Sequence, residues 1–365
     1  MLNSYELIII VLLYLLTNSA YGKVKNYEGY KVFSIFPKSD SDLQIINQER
    51  RQQKNIAIKS EGNYSIEKYL KYAEINDYLS YLHIKYPNKT RIINIGKSFE
   101  GREMNIIQIS SDFESSNKPA ILIEGGVHAR EWIAPAQVLF IIHQLAEIDK
   151  NKWLIENVDW YLLPSLNPDG YDYTFRKDRF WRKTRSNVSD ECIGVDMNRN
   201  YGYKWKHSIF CGDSFAGNHN FSESELKAYS KFAESIKDRL KLYLSFHSYG
   251  EIILYPWSYT YLEYPNNYLE LKTVAEKLGK LIGVNYITGT PAQLIYTAHG
   301  SSLDWFKGVL NADLVYAIEL SPGGSGYVDR VYVGFDLPPR QIKEVVSKVF
   351  VGVEYLGAYV KKKYV

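Results

Sequence analysis

Six short apolar runs, rich in β-branched residues, constrain this chain more than any other feature. They are Arg91–Gly96 (RIINIG), Met104–Ser110 (MNIIQIS), Ala120–His128 (AILIEGGVH), Val158–Asn167 (VDWYLLPSLN), Leu240–Gly250 (LKLYLSFHSYG) and Asp313–Leu320 (DLVYAIEL). Amphipathic patterns lie among them, as at 133–148 and 223–236, and another at 339–359 closes the chain. Strands apolar on both sides, interspersed with helices, indicate an α/β fold with the sheet covered on both faces. The run from Tyr64 has helical spacing, and the basic run Lys361–Lys363 suits the negative end of the last helix.

Three of these strands end in chemistry. The first delivers His128 and Glu131, another His247, and the last Glu319. Ligand sites in open α/β sheets collect at the carboxyl ends of strands, and buried charge there needs a partner. His128-x-x-Glu131 alone is a weak motif, since His143 and Glu147 form a comparable pair at i, i+4 and read as a simple helix pair. Position raises the first pair: it follows Gly125-Gly126 at a strand-to-helix turn, where backbone can approach an ion. Two histidines and a carboxylate with a fourth place open to water make a catalytic zinc set. A second carboxylate is then needed to take a proton, and Glu319 is the candidate; the alternative is a buried ion pair with arginine.

The segment HAREWIAPA (His128–Ala136) resembles the zinc signature of secreted, digestive-like metallocarboxypeptidases of the carboxypeptidase A/B type. The resemblance continues through NPDGY (Asn167–Tyr171), FWRKTRS (Phe180–Ser186), GVDMNRN (Gly194–Asn200), FHSYG (Phe246–Gly250), IYTAHGSSLDW (Ile295–Trp305) and the IEL around Glu319. It implies a single α/β domain, with a central mixed, mostly parallel twisted sheet of about eight strands and helices on both faces. It implies one Zn2+ held by His128, Glu131 and His247, with Glu319 as base and Arg182 polarising the scissile carbonyl. Asn198 and Arg199 match the pair that holds a substrate's terminal carboxylate, and Tyr296 the mobile tyrosine that closes over it. Arg130, Tyr249 and Phe335 match outer subsites, Asp196 the acceptor behind the first zinc histidine, and Cys192–Cys211 the family disulfide. Leu303 occupies the pocket floor, where relatives that cleave Lys and Arg carry aspartate. Leu254, Ala298, Ala317 and Ser258 match other wall positions, so hydrophobic C-terminal residues are the expected leaving side chains, and Glu251 near the pocket is the residue to suspect should Arg be released faster than Phe. After Glu319-Leu320 this chain has Ser-Pro-Gly-Gly where many relatives have Arg-Asp, which bears on subsite shape.

The N-terminus points to export. Residues 7–16 are apolar but too short to span a bilayer. Small residues at Ala20 and Gly22 suggest signal cleavage before Lys23, although no basic residue precedes the apolar stretch. Two cysteines fit one disulfide, as do four Asn-x-Ser/Thr sites (Asn63, Asn88, Asn187, Asn220) an exported chain. The expected organisation is a signal peptide at 1–22, a prosegment at 23–60 and a catalytic domain at 61–365. The prosegment reads as one strand (30–36) and one helix opened by Ser39 or Asp40. The family's prodomain is about twice as long, so either the segment docks weakly or the sequence lacks the prodomain's second half. Peptide C-termini are the expected partners, together with an activating protease. The net charge of +3 offers no case for nucleic acid or an anionic membrane, and a monomer is expected.

Overall fold

The computed structural model describes residues 67–115, 117–322 and 334–365 in full, and the backbone alone of strands at 20–27, 30–37, 327–328 and 331–332. The chain divides into two units, residues 1–62 and 63–365. In the first, Ala20–Tyr27 (β1) pairs antiparallel with Tyr30–Pro37 (β2). β2 is the strand expected at 30–36. β1 was not foreseen by sequence pattern, and it runs through the cleavage point expected between Gly22 and Lys23. The apolar stretch 7–16, the helix expected from Ser39, and Asn63 lie outside the described residues.

The second unit opens with Tyr72–Lys85 (α1), Thr90–Lys97 (β3), Glu103–Ile109 (β4), Ala120–Gly125 (β5) and Ile133–Ala146 (α2). Asp159–Leu163 (β6), Pro168–Arg176 (α3), Asn187–Ser189 (β7), Cys192–Ile193 (β8), Ser224–Ser235 (α4) and Leu240–Ser248 (β9) follow. Then come Ile252–Leu254 (β10), Tyr268–Ile282 (α5), Ile287–Gly289 (β11), Pro291–Leu294 (α6), Ser302–Gly308 (α7) and Leu314–Leu320 (β12). Tyr327–Val328 (β13), Val331–Tyr332 (β14) and Ile342–Tyr364 (α8) complete the chain.

Eight strands form one mixed sheet in the order β11-β10-β12-β9-β5-β6-β4-β3. The central strands β12, β9, β5 and β6 run parallel, as do β10 and β11, while the β10–β12, β4–β6 and β3–β4 pairs are antiparallel. All six apolar runs became strands. Within this sheet patterning missed β10 and β11, which have three residues each, too few for a periodic signal.

Side chains of a strand alternate between faces, and the core divides accordingly. Ile121, Ile123, Leu242, Leu244 and Phe246 pack with α1, α2, α5 and α8. Leu122, Tyr161, Tyr243, Val315 and Ala317 pack on the other face with α4 and α7. β5 is buried along its whole length, whereas the edge strand β3 is partly exposed. The last helix carries Lys361, Lys362 and Lys363 in its final turn, as expected. Among the described residues no helix is long and apolar enough to cross a membrane.

Candidate active site

Because β5, β9 and β12 are adjacent and parallel, their carboxyl ends meet. Glu319 on β12 is in register with His247 on β9, and His128 lies in the turn that leaves β5. The glycines of that turn admit helix backbone rather than an ion: a Cβ on Gly125 would sit 2.9 Å from the Ala134 carbonyl, and Gly126 has φ of +63°. This close approach places Glu131 just ahead of α2. His128, Glu131 and His247 are all buried and offer ligand atoms within 4.8 Å of one another.

The distances suit zinc. His128 Nδ1 lies 2.7 Å from Glu131 Oε1 and 3.2 Å from His247 Nδ1, which is 3.1 Å from Glu131 Oε2. Tetrahedral bonds of about 2.0–2.2 Å would set neighbouring ligand atoms roughly 3.3 Å apart. Two imidazole nitrogens and the two oxygens of the Glu131 carboxylate therefore face one another across one small space. The other ring nitrogen of His128 faces Asp196 Oδ1 at 3.1 Å.

Asp196 organises the neighbourhood. It is buried and N-caps the short 3-10 turn Met197–Arg199, its Oδ1 accepting from Asn198 N–H at 2.9 Å. Its Oδ2 accepts from Arg182 Nη2 at 2.8 Å and Nε at 3.2 Å. Burial opposes its charge, but the Arg182 and His128 charges hold the carboxyl well below the usual range. Arg182 Nη1 also lies 3.6 Å from Glu131 Oε1, so its positive charge sits beside the His-Glu-His cluster. Burial pushes the Glu319 carboxyl up and the Glu131 charge adds to this, while His247, His128 and Arg182 pull it back.

A cavity of about 470 Å3 opens beside this cluster and is lined by His128, Glu131, Arg182, Asn198, Arg199, His247, Tyr249, Tyr296, Glu319 and Phe335. Its apolar wall includes Leu254, Ala298, Leu303 and Ala317, with Ser258 beside them. Glu251 is not among its lining residues. Asn198 Oδ1 accepts from Ser302 N–H at 2.9 Å, which leaves its NH2 free to donate. Arg199 Nη2 donates to the Tyr296 hydroxyl at 2.8 Å, and Tyr296 is 53% exposed at the rim. Arg130 lies off the cavity wall, stacked over Phe335 at 4.5 Å and paired with Asp213 at 2.9 Å. Tyr249 meets Phe335 edge-on at 4.9 Å.

Other features behave as ordinary structure. His143 and Glu147 form the helix pair anticipated for them, at 2.9 Å, with Tyr78 and Lys85 also on the glutamate. Cys192 and Cys211 are disulfide-bonded, with Cα atoms 5.7 Å apart. Asn88, Asn187 and Asn220 are exposed. Sequence patterning overlooked Asp304, whose buried carboxylate accepts from Ser258 N–H at 2.7 Å and Tyr259 N–H at 2.9 Å and so shapes the pocket wall. It also overlooked Glu124 and Ser245, polar residues inside apolar runs.

Comparison with known proteins agrees with this geometry. Residues 75–352 match the family model described as zinc carboxypeptidase. "Carboxypeptidase B" of Helicoverpa zea is 40% identical over 296 residues, 76% of this chain and 67% of that protein. "Zinc carboxypeptidase A 1" of Anopheles gambiae is 36% identical over 294 residues, 78% of this chain and 66% of that one. The chain thus spans about two thirds of the length of these relatives. The crystal structure of carboxypeptidase A from Helicoverpa armigera superposes with a TM-score of 0.76 at 29% identity, covering 97% of this chain and 86% of that one. The chain belongs to the zinc carboxypeptidase family. It is by family a metallocarboxypeptidase, a hydrolase of peptide C-termini whose cofactor is one Zn2+, with a His-Glu-His set in place to hold it.

Proposed function

We propose that this chain releases single hydrophobic residues, aromatic or aliphatic, from peptide C-termini. The observation that carries the preference is the pocket's apolar lining, with Leu303 at 4% exposure. A Lys or Arg side chain there would be buried without a counter-charge, at a cost of several kcal/mol. A Phe or Leu side chain would gain about 1.5–3 kcal/mol by burial. The one acid next to Leu303, Asp304, already accepts two backbone N–H groups. Relatives bear both the A and the B name, so the pocket is the better guide.

Zinc held by His128, Glu131 and His247 would acidify water and polarise the scissile carbonyl. Glu319, in register with His247 at the end of β12, takes the proton at its carboxylate. Arg182, fixed by Asp196, presents a guanidinium to the oxyanion. Asn198 and Arg199 read the terminal carboxylate, which suits a planar guanidinium, and Tyr296 closes the rim. Arg130, Tyr249 and Phe335 meet residues further from the cut. The enzyme is exported, with residues 23–60 a prosegment that inhibits weakly. Activation by trypsin of less than a hundredfold is the result that fits. For the preference, release rates of Phe and Arg from matched peptides decide: faster release of Arg would overturn it.

A further inference from the structure

We propose that Glu124 is a positioning residue for the zinc ligand His247, acting through the hydroxyl of Ser245. The inference rests on the zinc reading of the site. Glu124 on β5 is in register with Ser245 on β9. Tyr243, Ser245 and His247 occupy alternate positions of β9 and so project from one face, opposite the face on which Leu242, Leu244 and Phe246 join the other core. Ser245 Oγ lies 2.5 Å from Glu124 Oε1 and 3.0 Å from His247 Nε2. The Tyr243 hydroxyl donates to the same Oε1 at 3.0 Å. All four residues are buried.

The directions of these bonds follow from the groups. With the ring nitrogen of His247 that faces the metal site kept as a lone pair, its Nε2 carries the N–H, so Ser245 Oγ accepts from it and turns its own O–H to Glu124 Oε1. The nitrogen that keeps the lone pair is Nδ1, which faces His128 and Glu131. His128 is held the other way, its Nε2 directly on the Asp196 carboxylate. One histidine thus leans on a carboxylate directly and the other through a hydroxyl, which is how outer groups set the tautomer and orientation of a metal ligand.

Fold stability does not account for Glu124. The rest of β5 is apolar or glycine, and a buried carboxylate costs more than the aliphatic residue it replaces. Its second oxygen, Oε2, has no hydrogen-bond partner among the described residues. A residue that served only the sheet would be Leu or Ile, like its neighbours.

The test is a double-mutant cycle read as zinc affinity. The full chain, Glu124→Gln, Ser245→Ala and the double variant are titrated with zinc against a chromogenic chelator, with melting of each metal-free protein alongside. Each single change is expected to weaken zinc about tenfold or more, the usual effect of losing an outer partner. The double variant should be no weaker than Ser245→Ala, because Glu124 acts through that hydroxyl. Single variants that bind zinc within twofold of the parent would overturn the proposal. So would a Glu124→Gln effect that persists undiminished in the Ser245→Ala background, which would make Glu124 a residue of the fold. If a single variant does not fold, the double variant, which leaves no orphaned charge, is compared with the parent: a tenfold loss supports the relay and unchanged affinity overturns it. A parent that binds no zinc would instead fail the metal assignment itself.

Discussion

Glu319 meets His128, Glu131 and His247 in one cavity but comes from a different strand, so under the proposed roles metal binding and proton transfer are separable. Glu319→Gln should retain zinc, because the His-Glu-His set is untouched, and should lose roughly three decades or more of turnover. His247→Ala should lose both. Metal analysis of the purified variants with single-turnover rates checks this, and zinc missing from Glu319→Gln would refute the separation. The pocket makes a second residue-scale case. Leu303 lies in the wall with Leu254, Ala298 and Ala317. Leu303→Asp places a carboxylate where a cationic side chain would otherwise be unpaired, and strips apolar contact from an aromatic one. The Arg-to-Phe ratio of kcat/KM should rise by about a hundredfold, a change of near 3 kcal/mol in differential binding. Peptide pairs differing only in their last residue give that ratio, and an unchanged ratio would mean another residue sets the preference.

At the level of elements, Glu225 in the first turn of α4 joins that helix to the loop after β3. Its Oε1 accepts from Phe99 N–H at 3.0 Å, and Ser224 Oγ donates to Oε2 at 3.0 Å. Burial pushes its carboxyl up to about 7, only partly offset by the backbone donors, with Asp169 and Glu223 adding to the rise. The folded chain therefore holds this proton to higher pH than the unfolded chain, whose carboxyl titrates near 4.3. Between those values the native state binds more protons, so stability contributed by this group is present at low pH and falls as pH rises towards 7, by roughly 3 kcal/mol. Glu225→Gln removes the titration. Thermal melting across pH 4–8 should show the parent losing stability relative to the variant between about pH 5 and 7, and a pH-independent gap would refute the assignment. Such couplings were illegible in the sequence, where Glu225 is one polar residue in an amphipathic helix. His128, His247 and Glu319 could be read because each interrupts or ends an apolar strand. Asn198 and Arg199 sit on an irregular turn with no periodicity, and only the family resemblance pointed to them. Glu124 and Ser245 stood in plain view inside their strands, but alternation within a buried run does not distinguish a hydroxyl that serves a ligand from one that merely fits.

For the molecule as a whole, the site is where the fold is tied together. His128 comes from the turn after β5, His247 from β9, Glu319 from β12, and Asp196 from the segment tethered by the Cys192–Cys211 disulfide. These groups are gathered only in the native state, so zinc bound there stabilises the whole unit from 63 to 365 by mass action. At a free zinc concentration a thousandfold above Kd, the gain is about 4.1 kcal/mol. For a unit of about 300 residues, with an unfolding entropy near 2.1 cal/mol/K per residue, this corresponds to a rise in Tm of about 6 °C. Calorimetry of the protein with zinc and after chelation should show that difference, with restoration on adding zinc back. The shift should survive in Glu319→Gln, whose ligands are intact, and vanish in His247→Ala. A Tm that does not respond to zinc in the parent would mean that the three residues do not hold the metal, whatever their spacing. A shift that persists in His247→Ala would mean that the metal stabilising the fold sits elsewhere.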